Sequence, residues 1–270
     1  MSKVSVSGIE IAYDEAGVGP AVVFLHGFPF NRSMWREQVK VLRQNFRVIA
    51  PDLRGHGQTS VTSGPTTMAA MAQDVIALMD ALEISRAVIC GLSMGGYVAL
   101  ELYRMFPSRV RALVLADTRA VADTDEGKLN RELQAQRGLQ EGMAPIADAM
   151  LPKLVAPLTV ARRPEVVARV REMILKADPT GAAAAQRGMA QRADLADFLS
   201  QINVPTLIIV GRHDLLTPVG ESEMMHSRIA DSALQIIEDA AHLSNLEQPE
   251  TFNSALTRFL LDLELSVSDE

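Results

Sequence analysis

Five short segments of this sequence are apolar almost without interruption, and they constrain the fold more than any other feature. They are residues 22–25, 48–50, 87–90, 113–116 and 206–210. Strands buried on both faces have this composition, and they occur in parallel sheets that helices cover on each side. Stretches with helical periodicity separate or follow them, notably residues 68–82, 97–106 and 218–229. The sequence therefore predicts an α/β fold with a mostly parallel sheet flanked by helices.

Two regions depart from this pattern. Residues near position 4 and residues 9–13 alternate between apolar and polar side chains and precede any helix, which indicates an antiparallel edge. After the sixth predicted strand, the strand signal disappears and amphipathic helical stretches are interrupted at Gly142, Pro145, Pro152, Pro157, Pro164 and Pro179. An insertion there should emerge at the carboxyl ends of the strands, where open α/β sheets bind ligands. We predict a core of residues 1–118 and 201–270, a helical lid of residues 119–200 and a frayed tail at residues 266–270.

A serine stands between a predicted strand and a predicted helix. Residues 91–96 read GLSMGG, so glycines lie two positions before and two positions after Ser93. Such small residues let a strand turn sharply into a helix, which pushes the serine hydroxyl out of the fold. The backbone N–H of Met94 then lies unpaired in the first helical turn, where the helix dipole is positive. The pattern is typical of a nucleophile elbow whose next N–H group stabilises an oxyanion.

A serine nucleophile requires a base and an acid that orients the base. His242 follows the strand-like residues 234–237, and Asp214 follows the strand at residues 206–210, so both are expected in loops at carboxyl ends of strands. The chain order serine, aspartate, histidine is the order of α/β-hydrolases. We therefore predict Ser93, Asp214 and His242 as a catalytic triad.

Other residues compete for these roles. Asp117 also ends a strand and is the alternative acid, unless it caps a turn with Thr118. His26 and His56 are expected to brace their turns, and His213 and His226 are expected at the surface. The lone cysteine, Cys90, is expected to fill a small buried site in a strand.

With these residues in place, the chain resembles the α/β-hydrolase superfamily from end to end. The motifs that carry the resemblance are HGFP at 26–29, PDLRGHG at 51–57, GRHD at 211–214, AHL at 241–243 and EQPE at 247–250. Within the superfamily, residues 91–96 and 112–118 resemble the carboxylesterase and 3-oxoadipate enol-lactonase branch. The resemblance implies an eight-stranded, mostly parallel sheet with a helical lid after the sixth strand.

The resemblance also implies a mechanism. Ser93 attacks an ester or lactone carbonyl, and His242 takes the serine proton and later gives it to the leaving alkoxide. Asp214 orients His242, and the backbone N–H groups of Phe28 and Met94 hold the oxyanion. Because the elbow residue is serine, the similar haloalkane dehalogenases and epoxide hydrolases, whose nucleophile is aspartate, are excluded. The expected activity is hydrolysis of small, rather apolar esters or lactones.

Alternative functions stay open at this point. The same triad supports hydrolysis of carbon–carbon bonds and cofactor-free perhydrolysis, and some relatives serve as slow-turnover ligand receptors. Four methionines of the lid, Met143, Met150, Met173 and Met189, are candidates for an adaptable acyl pocket, with ordinary helix packing as the alternative. Arg119 is a candidate for binding a substrate carboxylate or, alternatively, a solvated residue at the lid hinge.

Composition and charge limit the classes of molecule that we expect this protein to bind. The formal net charge is −7 and no block of basic residues occurs, so neither nucleic acid nor an anionic membrane is an expected partner. The sequence has no secretory signal and no apolar run of membrane-spanning length, which makes the cytoplasm the expected location. One cysteine rules out an internal disulfide and indicates no metal cluster, and no dinucleotide, nucleotide or zinc-protease motif occurs. We expect a small-molecule substrate, no cofactor and no metal.

Overall fold

The computed structural model describes residues 2–265, so the predicted frayed tail at residues 266–270 lies outside the described part. The strands are β1 Ser2–Val6, β2 Ile9–Ala16, β3 Ala21–Leu25, β4 Arg47–Pro51, β5 Ala87–Leu92, β6 Val110–Ala116, β7 Thr206–Gly211 and β8 Ser232–Ile237. The helices are α1 Arg36–Leu42, α2 Met68–Ala81, α3 Met94–Met105, α4 Asp125–Glu141, α5 Ala144–Leu154, α6 Pro157–Arg162, α7 Pro164–Leu175, α8 Pro179–Ala190, α9 Val219–Arg228, α10 Ser244–Glu247 and α11 Pro249–Leu265. Short 3-10 helices cover Arg32–Trp35, Pro107–Arg109 and Asp197–Gln201.

The eight strands form one sheet in the order β1-β2-β4-β3-β5-β6-β7-β8. Strands β3 to β8 pair in parallel, whereas β1 pairs antiparallel with β2, and β2 pairs antiparallel with β4. Every residue of β5 and of β7 is buried, as expected of strands that helices cover on both faces. The predicted α/β fold and its antiparallel edge are therefore confirmed.

The strand order places a crevice at the centre of the sheet. The chain passes from β3 to β4 on one side, and β5 lies on the other side of β3. In open α/β sheets, ligands bind outside the carboxyl ends of the strands at such a switch point. Residues 26–28 follow β3 and Ser93 follows β5, so the crevice brings these two segments together.

Helix α3 begins at Met94, three residues before the predicted start. The apolar period does not extend into the first turn because Gly95 and Gly96 occupy it, and glycine is a weak helix former. Gly95 is required there by packing, since a Cβ at this position would overlap the carbonyl group of Leu25 at the end of β3. The close approach of α3 to β3 holds the turn that carries Ser93.

Five helices, α4 to α8, lie between β6 and β7, and we call them the inserted helices. Helices α6, α7 and α8 begin at the prolines that the sequence analysis identified as interruptions. The expectation is wrong for Pro152, which lies inside α5 near its end, where a proline removes one hydrogen bond. The inserted helices are joined to the segment before α2, because the Thr66 N–H donates to the Ala184 carbonyl of α8 at 2.9 Å. The lid boundaries at residues 119 and 200 stay a prediction.

Candidate active site

Ser93 occupies a strained turn between β5 and α3. Its φ of 55° and ψ of −114° lie in a region that non-glycine residues rarely adopt. Four hydrogen bonds hold this backbone. The Ser93 N–H donates to the Ala116 carbonyl at 2.9 Å, and the Ser93 carbonyl accepts from the N–H groups of Gly96 at 2.9 Å and Tyr97 at 3.2 Å and from the Thr118 hydroxyl at 2.8 Å. Neighbouring β6 therefore stabilises the turn that the sequence predicted as a nucleophile elbow.

The structure brings Ser93, His242 and Asp214 into one hydrogen-bonded chain. His242 Nε2 lies 2.8 Å from Ser93 Oγ, and His242 Nδ1 lies 2.8 Å from Asp214 Oδ2. A carboxylate only accepts hydrogen bonds, so the proton of the neutral imidazole is on Nδ1. Nε2 is then free to accept the proton of the Ser93 hydroxyl. His242 stands 149 positions after Ser93 and 28 positions after Asp214 in the sequence, and the three residues meet at the carboxyl edge of the sheet.

Asp214 is itself held in place. Its Oδ1 accepts the N–H groups of Leu216 at 2.8 Å and Thr217 at 2.9 Å, and its Oδ2 accepts the Thr217 hydroxyl at 2.6 Å. Burial would raise the pKa of Asp214, but the adjacent His242 and the Thr217 hydrogen bonds outweigh it and lower that pKa. Burial likewise would lower the pKa of His242, and the charge of Asp214 reverses this and raises it. The pair is therefore built to favour an imidazolium beside a carboxylate.

Asp117, the alternative acid, lies close by but does not contact the imidazole. Its Oδ1 accepts the Gly211 N–H at 2.9 Å, and its Oδ2 accepts the hydroxyl of Ser244 at 2.6 Å and the Ser244 N–H at 3.2 Å. Burial and the charge of Asp214 raise the pKa of Asp117 to about 8. Asp117 thus ties the end of β6 to the end of β7 and to the segment after His242. It does not cap a turn with Thr118.

The loop after β3 lies directly beside Ser93. A Cβ at Gly27 would stand 3.4 Å from the Cβ of Ser93, and the next residue, Phe28, lines the same cavity as Ser93. Met94 is the first residue of α3, where backbone N–H groups have no acceptor within the helix. Phe28 and Met94 therefore lie where the predicted oxyanion donors must lie, and their donor roles stay a prediction.

Two buried histidines stabilise the loops around this site. His26 Nε2 accepts the Leu53 N–H at 2.9 Å, and its Nδ1–H donates to the Gly27 carbonyl at 2.9 Å. His56 Nδ1–H donates to the Arg54 carbonyl at 3.0 Å. Burial lowers the pKa of His26 to about 4 and that of His56 to about 3, so both imidazoles are neutral near pH 7. Both side chains stabilise their turns through hydrogen bonds, as predicted. The other two histidines, His213 and His226, are exposed.

A cavity of about 270 Å³ opens onto Ser93 and His242. Its apolar lining includes Phe28, Tyr97, Met150, Leu154, Met189 and Leu216, and its charged lining is Arg119, Asp123, Arg131 and Lys153. Two of the four candidate methionines thus line the cavity. Met143 and Met173 instead pack in the hydrophobic core, where the alternative prediction placed them. The wall is more polar than the methionine pattern indicated.

Three arginines converge on one buried carboxylate in this wall. Asp123 forms ion pairs with Arg119 at 2.7 Å, with Arg192 at 2.6 Å and with Arg131. Burial would raise the pKa of Asp123, but the hydrogen bonds from Arg192 and Arg131 hold it well below its usual range. Arg192 also lies 4.4 Å from the centre of the Tyr97 ring. One carboxylate faces three guanidinium groups, so this cluster keeps an excess of positive charge beside the cavity.

Sequence reasoning did not single out Asp123, Arg131 or Arg192. These residues stand in and beside amphipathic helices, where charged side chains usually face solvent, so their spacing carries no signal of convergence. Arg119, a candidate for binding a substrate carboxylate, lies in the cavity wall and forms an ion pair with Asp123. Cys90 is fully buried in β5, and burial raises the pKa of its thiol, which agrees with a packing role.

Residues 2–265 offer no cluster of three or more His, Cys, Asp or Glu side chains that could hold a metal ion. Among the same residues, no helix has both the length and the apolar character needed to cross a membrane. The cytoplasmic location stays a prediction.

The fold and the hydrogen-bonded Ser93, His242 and Asp214 define a hydrolase of the α/β class, and comparison with known proteins agrees. Residues 20–249 match the family described as alpha/beta hydrolase fold, and the chain belongs to that family. It is 33% identical over 237 residues to 3-oxoadipate enol-lactonase 2 of Acinetobacter baylyi, which covers 88% of this chain and 87% of that protein.

Two solved structures extend the comparison. A thermophilic esterase from Thermogutta terrifontis, solved with malate bound, superposes with a TM-score of 0.96 at 42% identity and covers 97% of this chain and 99% of its own. An enol-lactonase from Burkholderia xenovorans has a TM-score of 0.90 at 33% identity and covers 96% of this chain and 100% of its own. The resemblance to the carboxylesterase and enol-lactonase branch is thereby confirmed, and the chain is an enzyme of the α/β-hydrolase superfamily.

Proposed function

We propose that this protein is a serine hydrolase that cleaves carboxylic esters or lactones through an acyl-enzyme on Ser93. The observation that carries the proposal is the chain of two 2.8 Å contacts from Ser93 Oγ through His242 to Asp214, at the mouth of a cavity. Nucleophile, base and orienting acid are within hydrogen-bond reach of one another, as nucleophilic catalysis requires.

The reaction proceeds in two halves. Ser93 Oγ attacks the substrate carbonyl while His242 Nε2 takes the hydroxyl proton, and Asp214 stabilises the imidazolium that forms. The N–H groups of Met94 and Phe28 donate to the oxyanion, and one such donor typically contributes about 3 to 4 kcal/mol. The imidazolium then gives its proton to the leaving alkoxide. Water, activated by the same imidazole, releases the acyl group from Ser93.

The cavity wall favours small substrates that carry a carboxylate. Its volume of about 270 Å³ suits a small acyl group, and Arg119, Arg131 and Lys153 outnumber the single carboxylate of Asp123. A guanidinium group recognises a carboxylate with two parallel hydrogen bonds. The esterase from Thermogutta terrifontis was solved with malate, a dicarboxylate, bound, which supports the proposal of an anionic substrate for this chain. The expectation of small, rather apolar substrates stays a prediction beside this proposal, because apolar side chains such as Phe28, Met150 and Leu216 line the same cavity.

The first experiment measures hydrolysis of p-nitrophenyl esters from acetate to octanoate, and of simple lactones, by wild type and Ser93→Ala in parallel. We expect turnover above about one per second for wild type and a loss of about 10⁶-fold in kcat for Ser93→Ala. Ser63→Ala, at an exposed loop serine, is the matched control and should retain full activity. Equal, near-background rates in wild type and Ser93→Ala would refute the proposal and favour the receptor alternative.

A second experiment tests the charge preference. It compares kcat/KM for a p-nitrophenyl monoester of a dicarboxylic acid with that for a neutral ester of the same length. Arg131→Met should reduce the preference for the anionic ester by about tenfold, whereas Arg137→Met, on the same helix but facing solvent, should not. An unchanged preference in Arg131→Met would leave ester hydrolysis intact and refute the anionic substrate.

A further inference from the structure

Glu247 is a fully buried carboxylate that the mechanism does not use. No ammonium or guanidinium group forms an ion pair with it among the described residues. Its oxygens instead accept three hydrogen bonds: Oε1 accepts the Ala241 N–H at 2.8 Å, and Oε2 accepts the Ala156 N–H and the Thr159 hydroxyl, each at 2.6 Å. Such an arrangement satisfies a buried charge entirely with dipoles, which makes it costly to disturb.

The two oxygens of Glu247 reach two different parts of the molecule. Ala241, on one side, directly precedes His242 in the chain. Ala156 and Thr159, on the other side, lie at the start of α6 in the inserted helices. Helix α5 ends just before them at Leu154, whose side chain lines the cavity that opens onto Ser93. One carboxylate therefore links the backbone of the proposed base to the wall of the substrate cavity.

A second contact strengthens this link. Arg163, which follows α6, donates from Nη1 to the Glu247 carbonyl oxygen at 2.8 Å. The Glu247 N–H in turn donates to the Leu243 carbonyl at 2.9 Å, one residue after His242. The backbone of Glu247 is thus fixed from the same two sides as its carboxylate, which leaves the segment around His242 little freedom to move relative to α6.

We propose that Glu247 is a positioning residue that holds His242 against Ser93 and couples the imidazole to the α5–α6 part of the cavity wall. The inference rests on the proposed role of His242 as the general base. A displacement of the imidazole by about 1 Å from the serine hydroxyl can lower the reaction rate by about 10²-fold. A rigid link at this point therefore has a catalytic consequence.

The charge of Glu247 makes a further contribution that can be measured. The titratable groups that face the imidazole are Asp214 after β7, Asp117 after β6 and Glu247 in α10, while Arg119 lines the same cavity. Burial lowers the pKa of His242, and the three carboxyl groups raise it. Removal of the Glu247 charge should therefore lower that pKa and move the acid limb of kcat/KM to lower pH.

The test compares three variants with wild type in ester hydrolysis, from pH 5 to 9, after circular dichroism has shown that each is folded. Glu247→Gln should lose about 10- to 100-fold in kcat, and its acid limb should move to lower pH. Thr159→Val removes one hydrogen bond but keeps the charge, so its acid limb should not move. Glu250→Gln, at an exposed position in α11, should match wild type.

A wild-type kcat and an unmoved acid limb in folded Glu247→Gln would overturn the inference, and so would a loss of kcat without any movement of the limb. If Glu247→Gln does not fold, Glu247→Asp decides: it keeps the charge but is too short to span both partners. It should show the wild-type limb with reduced kcat, and a wild-type kcat would overturn the inference.

Labelling with a serine-reactive fluorophosphonate separates this inference from the proposed function. Wild type that neither labels at Ser93 nor turns over any ester refutes the proposed function itself. Equal labelling rates of wild type and Glu247→Gln, together with normal turnover of wild type, refute only the role of Glu247.

Discussion

Replacement of Asp214 by asparagine should disable the enzyme, because it moves the proton of the His242 imidazole from Nδ1 to Nε2. Oδ1 of Asp214 accepts two backbone N–H groups, from Leu216 and Thr217, so the amide oxygen of an asparagine must take that side. The amide NH₂ group then faces Nδ1 of His242, which stands 2.8 Å from the present Oδ2. Nδ1 must become the acceptor, and the proton moves to Nε2.

An imidazole that carries its proton on Nε2 cannot accept the proton of the Ser93 hydroxyl. The expected loss is about 10⁴-fold in kcat, or about 5 kcal/mol of transition-state stabilisation. Asp117→Asn is the matched control. Its carboxyl group accepts hydrogen bonds only from Gly211 and Ser244, so its replacement leaves the proton on Nδ1 of His242 where it is. It should lose less than about tenfold.

The assay is steady-state hydrolysis of the best p-nitrophenyl ester at pH 8, with circular dichroism to show that both variants are folded. A larger loss in Asp117→Asn than in Asp214→Asn would refute the reasoning and assign the acid to Asp117. A loss below about tenfold in Asp214→Asn would show that the tautomer argument does not apply to this site.

Three further outcomes are expected. The kcat/KM of wild type should fall on acidification, with a midpoint above the ordinary imidazole pKa of about 6.5. The pKa of His242 is raised, and its protonated form cannot act as a base. A flat profile from pH 5 to 8 would contradict this prediction. Gly188→Ala should lower the free energy of unfolding, measured by urea denaturation, by about 1 to 3 kcal/mol, because a Cβ there would overlap the Thr66 carbonyl. The control variant, Gly220→Ala, has open space around it and should keep the wild-type stability. Equal stability of the two variants would show that α8 moves freely. Cys90→Ala should keep kcat within about twofold, and a thiol reagent that inactivates the native enzyme would argue against a packing role.

The sequence pattern alone was sufficient to predict the strands, the turn at Ser93 and the loops that form the framework of the site. The buried strands could be found because a strand covered on both faces must be apolar throughout, and this property is local. The turn at Ser93 could be found because its glycines are required by close contacts: Gly91 lies against the backbone of Gly95, and Gly95 lies against Leu25 at the end of β3. Both glycines stand within two residues of the serine, so the pattern is local. The positions of Asp214 and His242 could be predicted because both stand in loops that follow strands of the sheet, Asp214 after β7 and His242 after β8.

Other features depend on contacts between distant segments. Glu247 stands in the EQPE motif, but nothing local in that motif shows that its carboxylate is buried or what it contacts, because its partner Ala156 lies 91 positions away. The convergence of arginines on Asp123 is equally invisible, since Arg192 reaches it across 69 positions. Residues that act through their own strand or turn can be read from the chain, whereas burial, ion pairing and the charge of the cavity arise only when the inserted helices pack against the sheet.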